Sequence, residues 1–257
     1  GDERVLKFVD KSENTQDEYH VYTAEALAYV DEQVFYASSG KQGNCYLEKD
    51  MDLNGKTCVW RAGYWVLKQG MDGQNYTIYN LRADAANTMS SPRVGFIAAT
   101  DSGATFQNLK FQTGYLCGDG SRDTARTALI AYTGKNAQTT LTNVAADNLI
   151  VVGGYNTAGL VGRTETAGVK LSDCQVTNST VYGAKDHIAS LTGTVINSTV
   201  ERCYSTGCTV FSAGMHSGGL ISCMNNTAVS NCFTDINLYG SNQTGAFIGA
   251  ANSGTCS

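Results

Sequence analysis

Several things are missing from this sequence, and each absence removes a class of function. No run of about 18 apolar residues occurs, so nothing reads as a membrane-spanning helix. Cationic side chains are in the minority, 18 against 23 acidic ones. The resulting net charge of -5 argues against duplex nucleic acid, whose binding needs a cationic stripe to displace counterions. The three histidines, His20, His187 and His216, read as sharing no spacing, and neither a nucleophile motif nor a phosphate loop accompanies them. Met71-Asp-Gly-Gln-Asn75 is too short for a calcium loop and fits a turn, so no metal or cofactor is expected. Proline occurs once beside 28 glycines, a balance suited to tight corners between short strands.

What is present is a phrase repeated six times between Val94 and Gly249. Its copies are Val94-Gly-Phe-Ile-Ala98, Thr127-Ala-Leu-Ile-Ala131, Ala158-Gly-Leu-Val-Gly162, Ala189-Ser-Leu-Thr-Gly193, Gly218-Gly-Leu-Ile-Ser222 and Gly245-Ala-Phe-Ile-Gly249. The central residues Phe96, Leu129, Leu160, Leu191, Leu220 and Phe247 follow one another at 33, 31, 31, 29 and 27 residues. A near-fixed period of this size marks a solenoid, in which each unit buries its apolar face only against its neighbours.

Between the phrases the pattern alternates with period 2, as in strands. Leu109/Phe111, Val144/Ala146, Cys174/Val176, Cys203/Ser205 and Cys232/Thr234 share one face, with Leu149/Val151, Ser179/Val181, Cys208/Val210 and Ile236/Leu238 on the next. Asn108, Asn143, Asp173 and Asn231 recur at one turn position, where Arg202 stands in the remaining copy. The expected architecture is an all-β, single-stranded, right-handed parallel β-helix with three short strands and about 30 residues per coil. A cap and irregular first coils occupy residues 1–81, and the repeat helix continues as the same domain over residues 82–257. The cap contains an amphipathic helix over Thr23–Ala37, with Thr23 as N-cap and Leu27, Val30 and Val34 on its apolar face. The C-terminal edge at Ser257 falls partway through a coil, so it is expected to continue or to be covered in a longer protein.

Of nine cysteines, Cys174, Cys203 and Cys232 recur once per repeat, which reads as one core position holding free thiols. Bridges Cys45–Cys58 and Cys203–Cys208 remain open alternatives. The column Ile97, Ile130, Val161, Thr192, Ile221 and Ile248 reads either as a flat aliphatic stripe facing out or as a row turned inward by a local kink, and burial is the preferred reading.

Ala158-Gly-Leu-Val-Gly162, Gly218-Gly-Leu-Ile-Ser222 and Gly245-Ala-Phe-Ile-Gly249, each followed by a segment like Val229-Ser-Asn-Cys-Phe233, resemble the GLUG-type repeats of bacterial surface proteins. So do Met51-Asp-Leu53 and Met71–Leu81. The resemblance implies a secreted or surface-anchored, adhesin-like bacterial protein, extracellular and without established catalysis, on a pectate-lyase-like helix. Phrases Ala128-Leu-Ile-Ala131 and Ser190-Leu-Thr-Gly193 depart from the pattern without breaking the register.

Two candidate sites follow. The outward column Tyr182, Phe211, Tyr239, with the shorter Tyr204 and Phe233, offers rings on which a glycan could stack, or a surface for a host or neighbouring-cell protein. The competing reading is a ladder that only stiffens the sheet. The other candidate is a loop corner carrying Arg82, Asp84, Arg93, Asp119, Arg122, Asp123 and Arg126. A polysaccharide lyase or hydrolase acting on uronate-containing glycans would use the Asp119–Arg126 end of it. Acids elsewhere in the repeats are scattered, so non-catalytic glycan or protein binding is the first reading. A passive structural spacer is the third.

Overall fold

In the computed structural model, which describes residues 7–9, 17–30, 43–54, 70–84, 93–100 and 103–257, the repeated phrase is the seam of a coil. The N–H of Leu160 donates to Leu191 O at 3.0 Å, that of Leu191 to Leu220 O at 3.1 Å, and that of Leu220 to Phe247 O at 2.9 Å. Leu160, Leu191 and Leu220 are fully buried, so successive copies stand above one another with their side chains on the axis. The residue after each leucine is buried as well, from Ile97 and Ile130 through Val161, Thr192 and Ile221. A bend at the phrase turns two neighbouring side chains inward, where a straight strand would turn one out.

Parallel register is maintained rung by rung. Thr139–Gly153 pairs below with Thr105–Cys117 and above with Val169–Ser172, Gln175–Thr177 and Thr180–Gly183. A second ladder joins Ile130–Thr133, Val161–Thr164, Thr192–Ile196, Ile221–Asn225 and Ile248–Ala251. The expected three strands per coil become four segments, Val169–Ser172, Gln175–Thr177, Thr180–Gly183 and Thr192–Ile196, plus a single-residue bridge at Ile188. The added segment is the one at the phrase, Thr192–Ile196, and two columns of left-handed residues mark the corners between the other three. Asn108, Asn143, Asp173, Arg202 and Asn231 form the first, at φ of 51°, 52°, 55°, 50° and 53°. Asn80, Thr113, Asn148 and Asn178 form the other, at 57°, 55°, 55° and 51°. Asparagine tolerates this conformation better than other residues with a Cβ, and its amide bonds to the next rung, as Asn143 Nδ2 does to Asn108 Oδ1 at 2.9 Å. Arg202 substitutes by gripping Asp173 one rung away, at 2.8 and 3.2 Å.

The cysteine column is reduced, with Cys174 and Cys203 buried and Cys232 half-buried. Cys174, Cys203 and Cys232 are free thiols in successive rungs, with the Cys203 N–H donating to Cys232 Sγ at 3.4 Å. A hydrogen bond with Cys174, followed by burial, holds the Cys203 thiol above its ordinary range, so it stays protonated and inert. The alternative bridge Cys203–Cys208 does not form; both are free, and a corner separates their strand segments. Cys45 is likewise free and buried, while Cys58 lies outside the described residues.

The expected cap helix is not supported at its full length. Helix Ala24–Val30 begins after Thr23, whose Oγ1 accepts from the Ala26 N–H at 3.1 Å, and it buries Ala26, Leu27 and Val30. Residues 31–37, Val34 among them, lie outside the described residues. The helix sits between Asp17–Val21 and Gly43–Leu47, which pair in parallel, so it belongs to a crossover between two rungs. The outer edge of Asp17–Val21 is covered instead by the antiparallel strand Lys7–Val9. Burial falls in the last rung, where Ile236, Leu238, Phe247 and Ile248 are only partly covered. The chain is an all-β parallel solenoid of about 7 turns with about 29 residues per turn.

Candidate functional site

The aromatic columns stand where alternation places them. Val181 and Val210 point to the axis, so Tyr182 and Phe211 must point away, and the register runs Tyr182, Phe211, Tyr239. Ring centroids of Tyr182 and Phe211 are 5.3 Å apart at 36°, and those of Phe211 and Tyr239 are 5.0 Å apart at 12°. On the preceding segment Tyr204 and Phe233 stack at 4.8 Å and 2°. Tyr182 is 51% exposed, Tyr239 58% and Phe233 53%. Beside the longer column runs a second outward row, Ile150, Thr180, Thr209 and Asn237, two residues earlier on the same strands. Ring orientation alters the sequence expectation of flat faces open to a sugar. Rings one rung apart cover each other's faces, so Phe211 offers an edge, while Tyr182 and Tyr239 also offer their hydroxyls.

The loop corner divides into pairs. Arg82 bonds Asp84 at 3.2 Å and lies 5.1 Å from the Tyr115 ring centre. Arg122 meets Asp119 at 3.0 Å, and Asp119 Oδ1 also accepts from Ser121 N and Oγ at 2.8 and 2.6 Å. The Ser121 hydrogen bonds, and then Arg122, hold Asp119 below the ordinary carboxylate range, which is unsuited to a proton donor. Arg126 Nη1 is spent on the carbonyls of Asp123 and Ala125, at 3.3 and 2.8 Å. Asp123 is an exposed loop residue, and Tyr155 feels both its charge and that of Asp186. Arg93 and Arg126 do come together, as partners in register. Among the described residues no group of three His, Cys, Asp or Glu could hold a metal ion.

One signal was overlooked in the sequence. His187 and His216 lie 29 residues apart, one turn of the coil, and their rings stack at 5.0 Å and 24°. Comparing all three histidines hid the interval. Burial first, then the neighbouring His216, holds His187 down at about 4. The folded state therefore resists a proton that the unfolded chain takes up near 6.5, so stability is complete above pH 6.5 and declines as pH falls toward 4. His187→Gln is expected to remove about 1–2 kcal/mol of that loss, after allowance for solvent screening. Urea midpoints of both proteins at pH 7.5 and pH 4.5 measure it. Equal acid sensitivity in the two would contradict the assignment.

A parallel β-solenoid with outward aromatic columns is thus the class that fold and surface define. No family model matches the chain, so the GLUG-type resemblance rests on its phrases, and no curated protein matches it. Among solved structures it is similar to a putative immunoglobulin A1 protease from Bacteroides ovatus, with a TM-score of 0.64 and 15% identity, over 93% of this chain and 74% of that one. A likeness at that identity shows the fold alone. No helix among the described residues is long and apolar enough to cross a membrane.

Proposed function

We propose that this chain is a non-catalytic binding protein, extracellular or on a bacterial cell surface, whose lateral face recognises a glycan. The observation that carries the reading is the outward column of exposed Tyr182 and Tyr239 with half-buried Phe211 between them, beside hydroxyl-bearing Thr180 and Thr209. Apolar ring edges and polar hydroxyls alternate there at the spacing of the rungs, which suits a polymer with a short repeat. A sugar meets edges and tyrosine hydroxyls along the column, and a ring face only at its ends.

The protease description belongs to the structural neighbour, and the stacked pair His187 and His216 lacks the arrangement of a triad. Nδ1 of His187 and of His216 has no hydrogen-bond partner, and Asp186 Oδ1 instead accepts from the Met215 N–H at 2.7 Å.

A glycan-array screen tests the proposal. Tyr182→Ala and Tyr239→Ala are each expected to weaken array hits about fivefold to tenfold, corresponding to about 1–1.4 kcal/mol. Hits that survive both substitutions unchanged would remove this face from consideration. Release of unsaturated or reducing ends from uronate polymers, abolished by Asp123→Ala, would establish the lyase or hydrolase reading instead.

A further inference from the structure

A cavity of about 200 Å³ lies in the N-terminal rungs, apart from the aromatic columns, against the strands Gly43–Leu47, Gly70–Asp72 and Thr105–Cys117. Its origin is a missing side chain. Cys45, Met71 and Phe106 are buried toward the axis, so the residues on either side of them point out. Asn44, Gly70 and Thr105 fill one outward row, and Tyr46, Asp72 and Gln107 the next. The backbone imposes glycine at position 70. Its φ is +103°, and a Cβ there would lie 1.8 Å from the carbonyl oxygen of Thr105. A notch is left between Asn44 and Thr105.

The walls of the notch are fixed by partners outside it. His20, one rung before Tyr46, stacks on that ring at 5.1 Å and 17°. The histidine is itself held at both nitrogens, by Glu48 at 2.6 Å and Glu18 at 3.3 Å. The other face of the Tyr46 ring is therefore turned toward the rung of Gly70 and Asp72. One oxygen of Asp72 accepts from the Gln74 N–H at 2.8 Å, and the other from Gln107 Nε2 at 2.8 Å. Each carboxylate oxygen keeps a second lone pair for a ligand. No lysine or arginine lines the notch, so an anion finds no counter-charge there. A carboxylate, an amide and a hydroxyl beside a ring face are the partners that a sugar's hydroxyls and its apolar C–H face call for. The volume is below the roughly 300–1,000 Å³ that encloses a drug-sized ligand, which limits the occupant to a single ring.

We propose that the notch at Gly70 binds one neutral sugar residue, free or at the end of a glycan, with Asp72 and Asn44 meeting its hydroxyls and Tyr46 its apolar face. The site does not depend on the Tyr182 column, and either can fail without the other.

Ligand-observed NMR on the full chain tests it, with glucose, galactose, mannose, N-acetylglucosamine and their methyl glycosides as probes at millimolar concentration. At least one is expected to bind. Thr105→Trp, which fills the notch from an exposed position, should abolish the signal. Asp72→Asn should weaken binding at least tenfold, because a neutral acceptor replaces a charged one. That variant also disturbs the bonds to Gln74 and Gln107, so Thr105→Trp decides the outcome. A methyl glycoside that binds as well as its free sugar would assign the notch to the end of a glycan, and binding of the free sugar alone to a monosaccharide. Binding that survives Thr105→Trp would overturn the proposal, and so would binding by none of the probes. Signal lost in Tyr182→Ala would place the sugar on the aromatic column instead. Methylammonium binding more tightly than every sugar, with affinity falling as salt rises, would make this a cation site and likewise overturn it.

Discussion

Leu191→Asp is expected to disrupt the solenoid. Leu191 lies on the axis between Leu160 and Leu220, all three without exposed surface. Cutting a buried leucine back to alanine costs about 2–5 kcal/mol in transfer and cavity terms. An unpaired carboxylate in that position adds several kcal/mol of desolvation. The total, on the order of 5 kcal/mol or more, rivals the whole stability of an ordinary domain. Each rung holds its neighbours, so the loss spreads along the stack. Outward Tyr182→Ala loses only a ring contact, about 1 kcal/mol. Circular dichroism during urea titration should rank the variants Leu191→Asp, Leu191→Ala and Tyr182→Ala in descending order of damage. A Leu191→Asp protein that unfolds with the wild-type midpoint would contradict the inward placement of the phrase.

Gly193→Ala carries the second large effect, through space alone. A Cβ at Gly193 would lie 2.1 Å from the carbonyl oxygen of Gly162, one rung away. The obstacle is backbone already engaged in the ladder, so it cannot rotate aside as a side chain would. The cost should reach about 3 kcal/mol, the upper part of the range for overpacked interiors. Gly120 is the control, because a Cβ there meets only the Ala184 Cβ, at 3.9 Å. Gly120→Ala should shift the urea midpoint hardly at all. Equal midpoints for the two alanine variants would show that the rungs are not in this close contact.

The rung spacing was legible because one requirement recurs at every turn. A leucine or phenylalanine must reach the axis, with a small residue directly before it and another two positions after it, which leaves a phrase that survives even where Ser190-Leu-Thr-Gly193 departs from it. Corners were legible in part, since asparagine signals left-handed backbone but Arg202 and Thr113 hold the same conformation without the signal. Their placement depends on a neighbour in the next rung, as Asp173 is for Arg202. The helix's place in a crossover between two rungs was not legible, because the propensity of residues 23–37 says nothing of the strands on either side.

The aromatic register could be derived from spacing, whereas ring tilt could not, and tilt decides which part of each ring a ligand meets. The notch at Gly70 was missed for a related reason. Nothing in the segment around Gly70 points to Asn44 and Thr105, its neighbours in the rungs on either side. Loop proximity likewise groups Arg93 and Arg126 with Asp119 and Arg122, and in the fold the last two satisfy each other.

Hydroxyl-radical footprinting of the protein bound to its strongest array ligand tests the binding face most directly. Tyrosine and phenylalanine oxidise readily where they are exposed, and a bound sugar shields them. Protection confined to Tyr182, Phe211 and Tyr239, with Tyr79 and Tyr115 unchanged, is the expected result. Undiminished oxidation of those three rings, with protection appearing elsewhere on the coil, would contradict the assignment.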